Sequence, residues 1–131
     1  MKYEELMEIA REAQKKAYVP YSNFKVGAAL LTKNGKVFTG CNVEIASLGA
    51  TNCAERTAIF KAVSEGETEY KAIAITGDSD LTYPCGICRQ VIVEFGDDID
   101  IIVDGKNGLV ITNINELLPH SFTGKDLKEL K

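Results

Sequence analysis

Between residues 3 and 17 the apolar side chains fall at Leu6, Ile9, Ala10, Ala13 and Ala17, with Tyr3 one turn earlier. Gaps of three and four mark one helical face, and Glu4 and Glu5 suit the positive end of the helix dipole, so a helix is predicted here. Pro20, within Val19-Pro20-Tyr21-Ser22-Asn23, breaks it, because proline cannot continue the backbone ladder. Phe24 to Thr32 and Lys36 to Val43 read as two strands joined by Asn34-Gly35, a tight-turn signal. A second helix is expected from near Cys53 through Arg56, Ile59, Phe60 and Val63 to Gly66. Tyr70 to Thr76, apolar at its centre from Ala72 to Ile75, reads as a short buried strand. After the turn Gly77-Asp78-Ser79-Asp80, Pro84 leads into a third helix over roughly Cys85 to Phe95. Ile99 to Val103 and Leu109 to Thr112 are further short strands, with Asn107-Gly108 turning between them. A short helix around Asn115 to Leu118 and a polar tail close the chain. No linker and no repeat interrupts this order, which predicts one α/β domain over residues 1–131, a sheet with helices on its faces.

Charge narrows the choice of partners. A formal net charge of −4 and a pI near 5.0 argue against nucleic acid, whose binding draws on clustered Lys and Arg. The basic residues are spread out, with only small groupings such as Lys15-Lys16. No stretch approaches the roughly 18 apolar residues that cross a bilayer. The opening Met1-Lys2-Tyr3-Glu4-Glu5 lacks the apolar core of a signal peptide. A soluble, cytoplasmic protein without a membrane partner is therefore expected. In a reducing compartment four cysteines point to metal binding or catalysis rather than to disulfides.

Cys85-Gly86-Ile87-Cys88 is a C-x-x-C pair. Such a pair serves a redox dithiol, a structural zinc completed by Cys41 or His120, or plain buried packing. Cys53-Ala54-Glu55 shifts the balance, because it sets a third thiol two residues before a carboxylate at a predicted helix start. Two helix N-termini would then converge on one metal, each favouring thiolate through its free N–H groups and dipole. Three protein ligands, Cys53, Cys85 and Cys88, with a fourth place left for water, are the pattern of a catalytic Zn²⁺, one per chain. Three thiolates on the metal leave a charge of −1, and Arg56 is the nearby counter-charge. Zinc lowers the pKa of bound water from about 15.7 to roughly 7 in favourable sites. Thiolates donate more charge than histidines, so a carboxylate base beside the water is useful, and Glu55 is placed to be that base. Asn42 and Glu44, two apart on a predicted strand, leave the same face. An amide and a carboxylate there suit sugar hydroxyls, which need donors and acceptors, and they also suit an ordinary polar strand face.

These motifs together resemble the small homotetrameric zinc-dependent cytidine deaminases. The similarity runs through Tyr21-Ser22-Asn23-Phe24-Lys25-Val26-Gly27-Ala28-Ala29, Asn42-Val43-Glu44, Cys53-Ala54-Glu55-Arg56 and Pro84-Cys85-Gly86-Ile87-Cys88-Arg89-Gln90. It continues into Leu117-Leu118-Pro119 and Phe122. The resemblance implies a three-layer α/β/α sandwich with a mixed sheet, assembled as a homotetramer whose subunits share active sites. It implies that Phe24 contacts the base, that the backbone at Ala54 reads the pyrimidine ring with Glu55, and that Asn42 and Glu44 bind ribose. Phe122 would come from another subunit.

The implied activity is hydrolytic deamination of free cytidine or 2′-deoxycytidine at C4 by zinc-bound hydroxide, releasing ammonia. Glu55 would act as base and then carry protons to N3 and to the amino group. A blasticidin-type antibiotic deaminase, a polynucleotide deaminase (disfavoured by the acidic balance and the short chain) and a non-enzymatic zinc module are the rival readings. One departure stands out: Leu48-Gly49 occupies the place where many relatives carry Tyr followed by Pro or Ser, which bears on subunit contacts and on the sugar pocket. Cys41 and His120 match no role; a buried side chain and a solvated loop residue are expected.

Overall fold

The computed structural model describes residues 1–129. In chain order its elements are α1 (Tyr3–Gln14), β1 (Val26–Thr32), β2 (Val37–Cys41), a 3₁₀ turn (Leu48–Ala50), α2 (Ala54–Ser64) and β3 (Tyr70–Gly77). They continue with α3 (Gly86–Glu94), β4 (Asp100–Gly105), β5 (Gly108–Asn113), α4 (Ile114–Leu117) and α5 (Gly124–Glu129). The strands form one mixed sheet in the order β2-β1-β3-β4-β5, with β3 and β4 parallel and the other pairs antiparallel.

Side chains on successive residues of a strand point to opposite faces, and β1 shows both faces buried. Ala28 and Leu30 join Ile73, Ile75, Ile101 and Val103 under α2 and α3, while Ala29 and Leu31 join Ala72, Ala74 and Ile102 under α1. Leu6, Met7 and Ala10 are the buried stripe of α1. The result is the expected three-layer α/β/α sandwich. Coverage on both sides also explains why β3 reads as a continuous apolar run rather than an alternating one.

Several details differ from expectation, β1 among them, which begins at Val26 rather than Phe24. α1 stops at Gln14 rather than near Ala17, because the chain turns there so that Tyr18 can pair with Val43. β2 ends at Cys41 rather than Val43, since Asn42 turns its side chain to the β1 entry and Val43 pairs with Tyr18 and Asn52 instead. The polar tail is not featureless: at the start of α5 Asp126 Oδ2 accepts from the Thr123 N–H and Thr123 Oγ1 accepts from the Lys125 N–H. Thr123-Gly124-Lys125-Asp126 is a capping-box spacing and so a signal present in the sequence. Cys41 is half-buried rather than buried, at the end of the edge strand β2, and His120 is exposed as expected.

The topology brings the ends of two helices together. β1 is antiparallel to both β2 and β3, so β2 and β3 run in the same direction and finish at the same edge of the sheet. β2 leads to α2 and β3 leads to α3, and both helices cover the same face. Their N-termini therefore open at one edge, beyond the C-terminal ends of the strands, where α/β sheets bind ligands.

Gly40 sets the height of α2 over that edge. A Cβ there would lie 2.3 Å from the Ala54 carbonyl oxygen and 2.6 Å from the Ala58 nitrogen, both backbone atoms of α2. Gly40→Ala must lift the first turn of α2, at a cost of about 1–3 kcal/mol for overpacking. Urea unfolding should show that loss together with weaker zinc retention. Gly49→Ala, where nothing lies within 4 Å of the added carbon, should change neither.

Candidate active site

Cys53 is the N-cap of α2, and Cys85 is the N-cap of α3. Neither thiol makes a capping hydrogen bond, so both are free to turn toward a ligand. Cys88 is the third residue of α3, and positions three apart on a helix are neighbours, which is why the C-x-x-C spacing works here. Cys88 is fully buried, Cys53 half-buried and Cys85 exposed, a gradient leading from the core to solvent. The three sulfurs lie within 4.8 Å of one another, and Cys53 Sγ is 3.9 Å from Cys85 Sγ. Tetrahedral zinc with bonds near 2.3 Å holds its sulfurs about 3.8 Å apart. The donor set thus fits Zn²⁺ in type and in spacing. Cys41 and His120 lie outside the cluster, so among the described residues the protein offers three ligands rather than four.

Arg56 gives a second test of fit. It occupies the third position of α2, where a cation opposes the helix dipole. Its Nη2 donates to Cys53 Sγ at 3.1 Å, and its buried Nε has no hydrogen-bond partner. A guanidinium placed this way needs anionic sulfur beside it. Three thiolates with Zn²⁺ sum to −1, and Arg56 brings the cluster to neutrality. A hydrogen bond from Cys88, aided by Arg56, holds the Cys53 thiol down at about 5, while the bond to Cys53 and burial push Cys88 up.

Glu55, between these residues, is only 4 % exposed. Burial pushes its carboxyl up to about 7, with the Cys53 charge adding to the rise and its own backbone N–H, Cys88 and Arg56 opposing it. Ala54, also buried, is the first residue of α2, so its N–H has no partner within the helix. The segment before α2 is pinned on both sides. Asn52 pairs with Val43 through two backbone bonds of 3.0 Å, and its side chain donates to Thr57 Oγ1, which in turn donates to the Cys53 carbonyl. Sequence reasoning did not single out Asn52 or Thr57; their roles depend on strand pairing that no local pattern reveals.

The other predicted residues fall around this centre. The Val43–Asn52 bridge puts Asn42 and Glu44 on the segment beside the one that enters Cys53. Asn42 does not project from a strand: its Oδ1 accepts from Val26 N at 2.9 Å and its Nδ2 donates to Phe24 O at 2.9 Å. Glu44 accepts from the backbone N–H groups of Tyr21 and Ser22 at 3.0 Å each and from the Ser22 hydroxyl. These bonds, Ser22 Oγ–H foremost, hold its carboxyl below the usual range. Both side chains therefore shape the loop that carries Phe24, which is half-buried behind Asn23 at φ 59°. Phe122 stands apart, 58 % exposed on the segment between α4 and α5. Leu48 lies in the exposed turn before Cys53, 73 % exposed.

A mixed sheet that opens two helix starts onto three thiols and a buried carboxyl defines the class: a zinc-dependent hydrolase. The family model described as "Cytidine and deoxycytidylate deaminase zinc-binding region" matches residues 1–104, and the chain belongs to that family. It is 45% identical over 130 residues to a cytidine deaminase of Sporosarcina psychrophila, covering 97% of this chain and 96% of the relative. A cytidine deaminase of Halalkalibacterium halodurans is 47% identical, with 95% and 96% covered. The crystal structure of a cytidine deaminase from Burkholderia pseudomallei superposes with a TM-score of 0.88 at 48% identity, over 93% of this chain and all of that one. A blasticidin-S deaminase of Bacillus cereus is more distant, at 32%.

Proposed function

We propose that this chain hydrolyses the 4-amino group of free cytidine and 2′-deoxycytidine, giving the uracil nucleoside and ammonia. The observation that carries the reading is the buried carboxyl of Glu55 beside three thiols gathered at two helix starts. Cys53, Cys85 and Cys88 would hold one zinc ion per chain, and Arg56 would offset the excess negative charge. Zinc, when bound, supplies the Lewis acid that brings the pKa of water from about 15.7 toward neutrality. Glu55 takes one proton from the attacking water and delivers it to N3, then takes the second from the new C4 hydroxyl and gives it to the departing amino group, leaving C4=O. The water oxygen forms the new bond at C4, and the C4–N bond breaks with its electron pair leaving on ammonia.

Phe24 would lie against the base, and the N–H of Ala54 with Glu55 would read the pyrimidine edge. Asn42 keeps one amide N–H and one lone pair beyond its two bonds to the loop, and Glu44 keeps lone-pair capacity beyond its three. That remainder is what they would offer to sugar hydroxyls. In this reading residues 1–131 form one domain, the protein works in the cytoplasm, and a homotetramer completes each site with Phe122 from a neighbour. Turnover compared on cytidine, 2′-deoxycytidine, blasticidin S and a cytosine-containing oligonucleotide tests the substrate class. Activity on the two nucleosides alone is expected.

Sedimentation with steady-state kinetics tests the shared site. Phe122→Ala should raise KM, by several-fold up to tens of fold for a buried aromatic contact of about 1–2 kcal/mol. A fully active monomer would overturn the assignment of Phe122 to a neighbour's pocket.

A further inference from the structure

We propose that Gln90 and Arg89, the two residues after Cys88, are positioning residues that suspend the Phe122 segment from the first turns of α3. Gln90 Nε2 donates to the Phe122 carbonyl at 2.6 Å. Arg89 Nε donates to the Pro84 carbonyl at 2.8 Å, and its Nη1 donates to the Leu117 carbonyl at 2.9 Å. One guanidinium thus ties the residue before Cys85 to the end of α4. The next side chain along α3 reaches five residues farther, to Phe122.

The segment needs such a support. Leu117 and Leu118 pack against the core, but Pro119 and His120 are exposed and His120 turns the chain at φ 54°. The Phe122 ring is mostly exposed, so packing within this chain does not fix it. The bonds between Thr123 and Asp126 organise the start of α5 without tying it to the body. Gln90 makes that tie from α3, the helix that Cys85 caps, two residues beyond Cys88. The position of the Phe122 ring is thereby referenced to the ligand pair across the chain's own backbone.

This inference rests on the reading of Phe122 as a nucleoside contact, and its test separates the two. Gln90→Met keeps the length of the side chain and removes the donor. A net hydrogen bond of this kind corresponds to a factor of about 2–10. Purified Gln90→Met should keep zinc content and circular dichroism and show KM for cytidine raised by about that factor. Its kcat should stay within about twofold, since no transition-state contact is removed. An unchanged KM where Phe122→Ala raises it, or a loss that falls on kcat instead, overturns the positioning role alone. If neither variant raises KM, the reading of Phe122 falls and the proposal falls with it.

Discussion

Glu55→Gln is expected to retain zinc and the fold while losing about 10²–10⁴-fold in kcat, the range for removal of general acid–base catalysis. Glutamine fills almost the same volume, so a side chain that is 4 % exposed at the start of α2 keeps its packing. It can still hydrogen-bond, but at neutral pH it neither takes a proton from water nor passes one to N3. Because Glu55 serves several proton transfers in turn, the upper end of the range is expected. KM should change little, as the bonds of Asn42 and Glu44 to the Phe24 loop are untouched. Zinc analysis, circular dichroism and steady-state kinetics on cytidine check all three expectations. Retention of a tenth or more of kcat, far short of the loss general catalysis implies, would remove Glu55 from the role of proton carrier.

What the sequence revealed about this centre was local, and what it concealed was long-range. C-x-x-C is legible because its cysteines stand one helix turn apart, and C-x-E because it falls at a helix start, where a metal over the axis is reached from both positions. Arg56 is legible as the counter-charge for a further local reason: an arginine in the first turn of a helix opposes the dipole and so points to anions nearby. The convergence of the two helix starts was not legible in detail, because it depends on β1 pairing antiparallel with both β2 and β3. For the same reason Asn42 and Glu44 read, in the sequence, as neighbours on a strand face. Their first partners prove to be backbone groups some 20 residues earlier in the chain, and only the fold shows that they build the loop beneath Phe24. Core alternation was easier to read, since burial on both faces of β3 leaves an unbroken apolar run.

Cys88→Ala should release the zinc, and with it the activity, whereas Cys41→Ala should keep both. Cys88 is the fully buried member of the cluster and stands one helix turn from Cys85, so its loss leaves two sulfurs on the solvent side of the site. Two thiolates and water hold zinc far more weakly than three, and the metal content after dialysis should fall from about one per chain toward zero. Alanine is preferred to serine for the test, because a hydroxyl at a fully buried position would bring an unsatisfied polar group of its own. The substitution also removes the Cys88 hydrogen bond that helps hold Cys53 as a thiolate beside Arg56, so the apo variant should be less stable than the wild-type protein stripped of zinc by a chelator. Cys41 sits half-buried at the end of β2, away from the three sulfurs, and its thiol is not needed to complete a tetrahedron in which water holds the fourth place. Zinc lost on Cys41→Ala would mean four protein ligands and a closed structural centre, and a closed centre has no place for the water that the reaction consumes.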